Sequence, residues 1–114
     1  MIDYHKTLVT ALNKILPTTY EMFLHSGMKT PCISYMELNN SASLEGDTIG
    51  YSNVSYQVKV WATKLDAIQR YSLEVDKAMR GLGWKRTSCV ELSDPNSSMI
   101  QKVMTYDAIA HESF

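Results

Sequence analysis

Apolar and polar residues alternate through the middle of the chain, with Val54, Tyr56, Val58 and Val60 set against Ser55, Gln57 and Lys59. A period of two marks a strand with one buried face, and the pattern predicts a long strand over Ile49–Ala62. The period then lengthens to that of a helix running from Lys64 to Arg80. Leu65, Ile68, Tyr71, Val75, Ala78, Met79 and Leu82 fall on one arc, with Asp66, Gln69, Arg70, Asp76, Lys77 and Arg80 on the other. Thr63, followed three residues later by Asp66, reads as an N-cap with an acidic version of the capping-box partner. Gly81-Leu82-Gly83 closes the helix and Trp84 opens another strand.

Upstream, Ile2 to Leu16 reads as an amphipathic helix. Its apolar face carries Tyr4, Leu8, Ala11, Leu12, Ile15 and Leu16, and Pro17 stops it. His5 sits at the edge of that stripe, the place of a packed or half-exposed histidine. Tyr20–Leu24 is a short predicted strand and Pro31–Leu38 a second. In the latter Cys32, Ser34 and Met36 share one face and Ile33, Tyr35 and Glu37 the other; neither is cleanly polar, so both are expected to be partly covered. Asn39–Thr48 is small and polar without periodicity, which predicts an exposed, mobile loop in which Leu44 is the only large apolar residue. Downstream, Trp84–Ser93 and Ser98–His111 form a predicted hairpin around Asp94-Pro95-Asn96-Ser97. In its second arm Ile100, Met104, Tyr106 and Ala108 share one face, and Met99, Val103 and Ile109 the other, as befits a central strand or one covered by a neighbouring subunit. The expected fold is α+β: a mostly antiparallel sheet of about five strands with two packed helices, in the order α-β-β-β-α-β-β.

Composition adds bounds. The 114 residues fit one domain spanning 1–114, without internal repeat or linker. Net charge is −1, so the basic excess of a nucleic-acid-binding domain is missing. Asp3, His5, Lys6 and Asn13 interrupt any signal-peptide pattern, and no apolar run approaches a membrane span. The reading is a protein made soluble in the cytoplasm. Cys32 and Cys89 suggest no disulfide framework, although a single bridge stays open. Seven methionines and seven tyrosines suit either a methionine-filled core or a protein–protein interface.

Side-chain chemistry points to no reaction. His5, His25 and His111 have no metal-ligand spacing, so neither metal nor organic cofactor is expected. His25 and Cys32 could in principle pair as imidazolium and thiolate, yet a strand position favours Cys32 as a small buried hydrophobe. Gly81-Leu82-Gly83 follows a helix rather than opening one, the wrong order for phosphate. Glu45-Gly46-Asp47 lacks the ligand count of a calcium loop. The pairs Asp66–Arg70 and Asp76–Arg80 read as solvated i,i+4 contacts worth about a few tenths of a kcal/mol each. The chain is not read as an enzyme.

The block Ser55-Tyr56-Gln57-Val58-Lys59-Val60-Trp61-Ala62-Thr63, the helix after it and Leu82-Gly83-Trp84 resemble the tail-completion proteins of long-tailed phages and prophages. The resemblance extends to Leu16-Pro17 after the first helix, Pro31-Cys32-Ile33-Ser34-Tyr35, Gly46-Asp47 before the long strand, and the closing hairpin. It covers nearly the whole chain as a pattern of elements without a catalytic signature. It implies a tail terminator, or tail-to-head joining, subunit: a virion protein, made in the bacterial cytoplasm, that assembles with itself into a ring, by implication a hexamer. That ring would sit on the head-proximal end of the tail tube, stop its polymerisation and meet the head connector. The expected partners are therefore other copies, the tail-tube protein and the head-closure protein, with no sequence-specific nucleic acid and no membrane. Asn39, Asn40, Ser41, Ser43, Leu44, Glu45 and Asp47, together with the exposed Leu73, are the candidate interface residues. Two other readings stay open: another ring-forming virion subunit of the tube or head closure, and a ferredoxin-like ligand-binding regulatory domain.

Overall fold

The computed structural model describes residues 4–20, 29–45, 49–93 and 98–113. Its elements are α1 (His5–Asn13), β1 (Thr18–Tyr20), β2 (Cys32–Glu45), β3 (Ile49–Ala62), α2 (Leu65–Gly81), β4 (Lys85–Ser93) and β5 (Ile100–Ser113). The strands form one sheet in the order β1-β2-β3-β5-β4. Only the β1–β2 pairing is parallel; β2–β3, β3–β5 and β4–β5 are antiparallel. This is the α+β order that the periodicities predict. A ferredoxin-like chain alternates βαβ twice, whereas here β4 runs directly into an antiparallel β5.

The period-two pattern of β3 sets the core. Val54, Tyr56, Val58 and Val60 are all buried on the face that receives both helices. The register brings Ile33 and Tyr35 of β2 beside Val60 and Val58 on one flank. Met104 and Tyr106 of β5 lie beside Val58 and Tyr56 on the other. Leu8 and Leu12 of α1, with Ile68, Val75 and Met79 of α2, close the core from above. Full burial of such side chains is worth about 1.5–3 kcal/mol each, so the helix layer is held mainly by these contacts.

The opposite face is also partly closed, as the mixed faces of β2 suggest. Cys32 and Ser34 are fully buried there. Trp61 lies across from Cys32 in the register, and its indole N–H donates to the Ser34 hydroxyl at 2.8 Å. The Lys59 ammonium sits 5.6 Å from the centre of the same ring, and burial lowers the lysine's pKa from its ordinary value.

Helix ends depart from the sequence expectation in both helices: α1 ends at Asn13, short of Leu16, and α2 lacks its expected cap. The N-cap of α2 is Lys64, in extended conformation and without a side-chain cap bond, so Thr63 and Asp66 do not form a capping box. Asp66 instead accepts from the N–H of Ala67, its immediate neighbour. The far end follows the glycine rule. Gly83 has φ +92°, and the N–H groups of Gly83 and Trp84 return to the carbonyls of Arg80 and Met79. That reversal drops Trp84 into the core against the rings of Tyr4 and Tyr56.

The largest correction concerns Asn39–Thr48. Residues 39–45 are not a loop. They are the outer half of β2, paired residue for residue with 49–55 of β3, from Asn39↔Ser55 to Glu45↔Ile49. The shift follows a bulge at Leu38, which has no partner in the β2–β3 register. Backbone pairing to a strongly patterned neighbour overrides the weak strand propensity of Asn, Ser and Ala. β3 is paired on both sides from Ile49 to Trp61. The predicted strand at Tyr20–Leu24 is seen as Thr18–Tyr20; Glu21–Leu24, His25, residues 46–48 and the turn at 94–97 lie outside the described residues.

Candidate functional site

Three strands, β2, β3 and β5, are each 14 residues long, or about 46 Å at ~3.3 Å per residue. The covering helix α2 has 17 residues, or about 26 Å at 1.5 Å per residue. The sheet therefore outruns its helix layer, and the molecule is drawn out to 52 × 25 × 23 Å. The extension is a three-stranded ribbon made of 39–45, 49–55 and 107–113. Six of the candidate interface residues, Asn39, Asn40, Ser41, Ser43, Leu44 and Glu45, lie along one of its strands. Asn39 donates its side-chain amide to the Asn53 carbonyl across the ladder. Asp47 falls outside the described residues. Leu73 is 70% exposed, but on α2, away from the ribbon. The structure thus joins six of the eight in one strand and sets Leu73 apart.

The two flanks of the sheet differ. On one, β4 is the terminal strand, and all nine of its residues are exposed. Val90 and Leu92, about half exposed, face the side away from the helices in register with Val103 and Gln101. On the other flank β1 pairs only with Ile33–Tyr35. From Met36 to Glu45 no described strand pairs with the outer side of β2. A terminal, exposed strand such as β4 offers a row of N–H and C=O groups to another chain. A predicted central strand, β5, is indeed flanked on both sides; what sequence periodicity could not supply is which strands lie at the margins.

Two polar clusters tie the layers together. Asp76 of α2 accepts the Tyr106 hydroxyl at 2.9 Å, and lies 3.1 Å from Arg80 and 3.4 Å from Arg86 of β4. It is more than the solvated helix-face pair its spacing suggests: its side chain is only 14% exposed. Burial first, then the Asp76 hydrogen bond, pushes the Tyr106 phenol well above its ordinary pKa. At the other end of the sheet, half-buried His5 reaches the Glu37 carboxylate at 3.2 Å, which also accepts from Tyr56 at 2.9 Å. The imidazole lies against the rings of Tyr20, Tyr35 and Tyr56. These contacts anchor α1 to the sheet.

Among the described residues no group of three or more His, Cys, Asp or Glu side chains converges to hold a metal ion. Cys32 and Cys89 are free thiols, the first buried and the second exposed. Burial raises the Cys32 pKa to about 11, which disfavours a thiolate nucleophile there. No helix among the described residues is long and apolar enough to cross a membrane.

No protein-family model matches the chain, and comparison with curated proteins finds no match either.

Proposed function

We propose that this chain is a structural subunit of a long-tailed phage or prophage virion, a tail-completion protein that closes as a ring on the head-proximal end of the tail tube. In that role it stops tube growth and presents a surface to the head connector. The reading starts from the resemblance of Ser55–Thr63, the following helix and Leu82-Gly83-Trp84 to that family. The observation that carries it is the pair of unlike sheet margins. A closed ring is built from a heterologous contact, in which one patch of each subunit meets a different patch of the next. An exposed β4 on one flank and a margin formed by β1 and β2 on the other supply two such unlike patches on opposite sides of one sheet. The ribbon beyond the helices adds a third surface, suited to a tube or connector neighbour.

The test is to tag the chain, label assembled tails and image them. A label confined to one terminal disc, with tubes of uncontrolled length when the gene is deleted, is the expected result. A label repeated along the tube would reassign the chain to the tube. A label that stays with heads separated from tails would assign it to head closure. Particles that assemble and infect normally without the chain would defeat every virion reading.

A further inference from the structure

Between α1 and α2, on the surface facing away from the sheet, lies an open groove of about 760 Å³. A second depression of about 380 Å³ continues it along α1, sharing Ala11, Lys14 and Leu82. The floor is apolar and low, formed by Ala11, Ile15, Tyr71, Ala78 and Leu82. Small residues matter here. Ala11 and Ala78 keep the floor shallow, and a Cβ built at Gly81 would meet nothing within 4 Å. The rim is basic. Lys14, Arg70 and Lys77 border the main groove with a single carboxylate, Glu74, and Lys6 borders its continuation. The guanidinium of Arg70 rests over the Tyr71 ring at 5.1 Å. Lys6, Lys14 and Lys77 make no ion pair with any described residue. Four cations against one anion, in a chain whose net charge is −1, is a local concentration of positive charge.

From this combination we infer that the α1–α2 groove is a docking site for an amphipathic helix with acidic flanks, supplied by a different protein. Its length suits such a guest. Arg70 to Leu82 spans about 18 Å of helix axis, enough for roughly three turns of a helix laid alongside. A leucine-type stripe would enter the apolar floor, where Ala11, Ala78 and Gly81 allow close approach. Carboxylates on either side of the stripe would then meet Lys14, Arg70 and Lys77, which make no ion pair with any described residue. Helix-in-groove recognition works through this division, apolar anchors below and charges at the rim, and the rim charges set orientation and encounter rate more than raw affinity. The inference stands apart from the virion reading, which rests on the sheet margins and not on the helix layer.

The test uses the full chain and a designed peptide of about 14 residues, about four helical turns. It carries leucines at i, i+3, i+4 and i+7 and glutamates elsewhere. Its controls are a sequence-scrambled peptide and one with lysine for every glutamate. Fluorescence anisotropy should give saturable binding of the acidic peptide that weakens with salt. Amide resonances that move should be those of α1 and α2. The scrambled and basic peptides should bind about tenfold more weakly or worse. Gly81→Leu, which fills the groove from an open position, should abolish binding while thermal stability is unchanged or raised. The double change Lys14→Glu with Lys77→Glu should weaken it about tenfold and flatten its salt dependence. Absence of binding, equal binding of the three peptides, or indifference to both variants would overturn the inference. So would a Gly81→Leu-sensitive self-association in sedimentation, which would give the groove to a second copy. Duplex DNA binding lost in the double variant would likewise replace the helix by a polyanion.

Discussion

The Tyr106 hydroxyl donates to the Asp76 carboxylate across 2.9 Å, joining the middle of β5 to the underside of α2. The same carboxylate faces Arg86 of β4, so one nearly buried anion links three successive elements, α2, β4 and β5. Tyr106 itself is wholly buried, which leaves its hydroxyl few alternatives; among the described residues it also reaches the sulfur of Met104 at 3.4 Å.

Tyr106→Phe should therefore cost about 1.5–3 kcal/mol, the range for a hydrogen bond to a charged group. Asp76→Ala should cost at least as much, since it strands the phenol and frees two arginines. Urea unfolding of both single variants and the double variant measures the coupling. A coupling energy near zero would make the contact incidental, with Asp76 serving only Arg80 and Arg86.

Cys32 predicts an alkaline weakness. Its pKa rises from an ordinary 9.0 in the unfolded chain to about 11 in the fold. Below pH 9 both states hold the proton and stability is unaffected. Between about 9 and 11 the unfolded chain releases it first, so stability falls with rising pH, by on the order of 2–3 kcal/mol at full extent. Tyr106, also raised, acts in the same direction, and Lys59, lowered by burial, acts in the opposite one. Comparing the pH slope of Cys32→Ala with that of the parent isolates the thiol, and the variant should lose part of the decline. In native protein a thiol reagent should label exposed Cys89 alone, and both cysteines only in denaturant. Rapid native labelling of Cys32 would contradict its burial.

Ser72 is 4% exposed on the core side of α2, and its hydroxyl finds no hydrogen-bond partner among the described residues. A buried, unpaired hydroxyl is a cost, and alanine is the better helix former. Ser72→Ala should raise stability by about 1 kcal/mol, read as an increase of a few degrees in melting temperature. A lower melting temperature would show that the hydroxyl is satisfied.

Val58 stands at the crossing of the core, fully buried and in register with Tyr35 on one side and Met104 on the other. Val58→Asp would place an unpaired carboxylate there and should cost several kcal/mol, enough to leave the chain largely unfolded. Circular dichroism of the purified variant would measure it, and a parent-like melting curve would contradict the assigned strand phase.

How much of this was legible beforehand depended on how local each signal was. The phase of β3 and the buried arc of α2 are written in neighbouring residues, and Val54–Val60, Ile68, Val75 and Met79 lie where periodicity puts them. Asp76 reads from sequence as a solvated pair because Arg80, one turn away, accounts for its charge; Tyr106 lies 30 positions away and only the sheet brings it close. Ser72 carries no signal of its own, since one polar residue does not disturb a helical stripe. The segment 39–45 has loop composition but strand geometry, because its pairing energy comes from β3 and not from its own side chains. Six of the candidate interface residues thus share one strand of the extension, where their composition predicts a loop.

That extension yields the sharpest separation of folding from assembly. Replacing residues 41–53 by Asn-Gly would join Asn40 to Val54, which already pair, through a two-residue hairpin turn. Ending β5 at Ala108, the partner of Val54, would trim the third strand to match. The core residues Val54, Tyr56, Met104 and Tyr106 all survive this trim, as do both helices. Shortening a hairpin costs little in loop closure, so the trimmed chain should fold, with a melting temperature within a few degrees of the parent. Had the segment been a mobile loop, simple deletion of 40–45 would be as harmless. In a paired strand, that one-sided deletion instead strips residues 49–54 of their partners and exposes a new edge. The one-sided variant should aggregate or melt lower, and the matched trim should not. If the ribbon serves assembly, the matched trim should still abolish joined, infectious particles in a complementation assay, with soluble protein at parent levels. Normal particle yield from the trimmed chain would reduce the ribbon to an ornament of the fold and leave the sheet margins alone to carry the contacts.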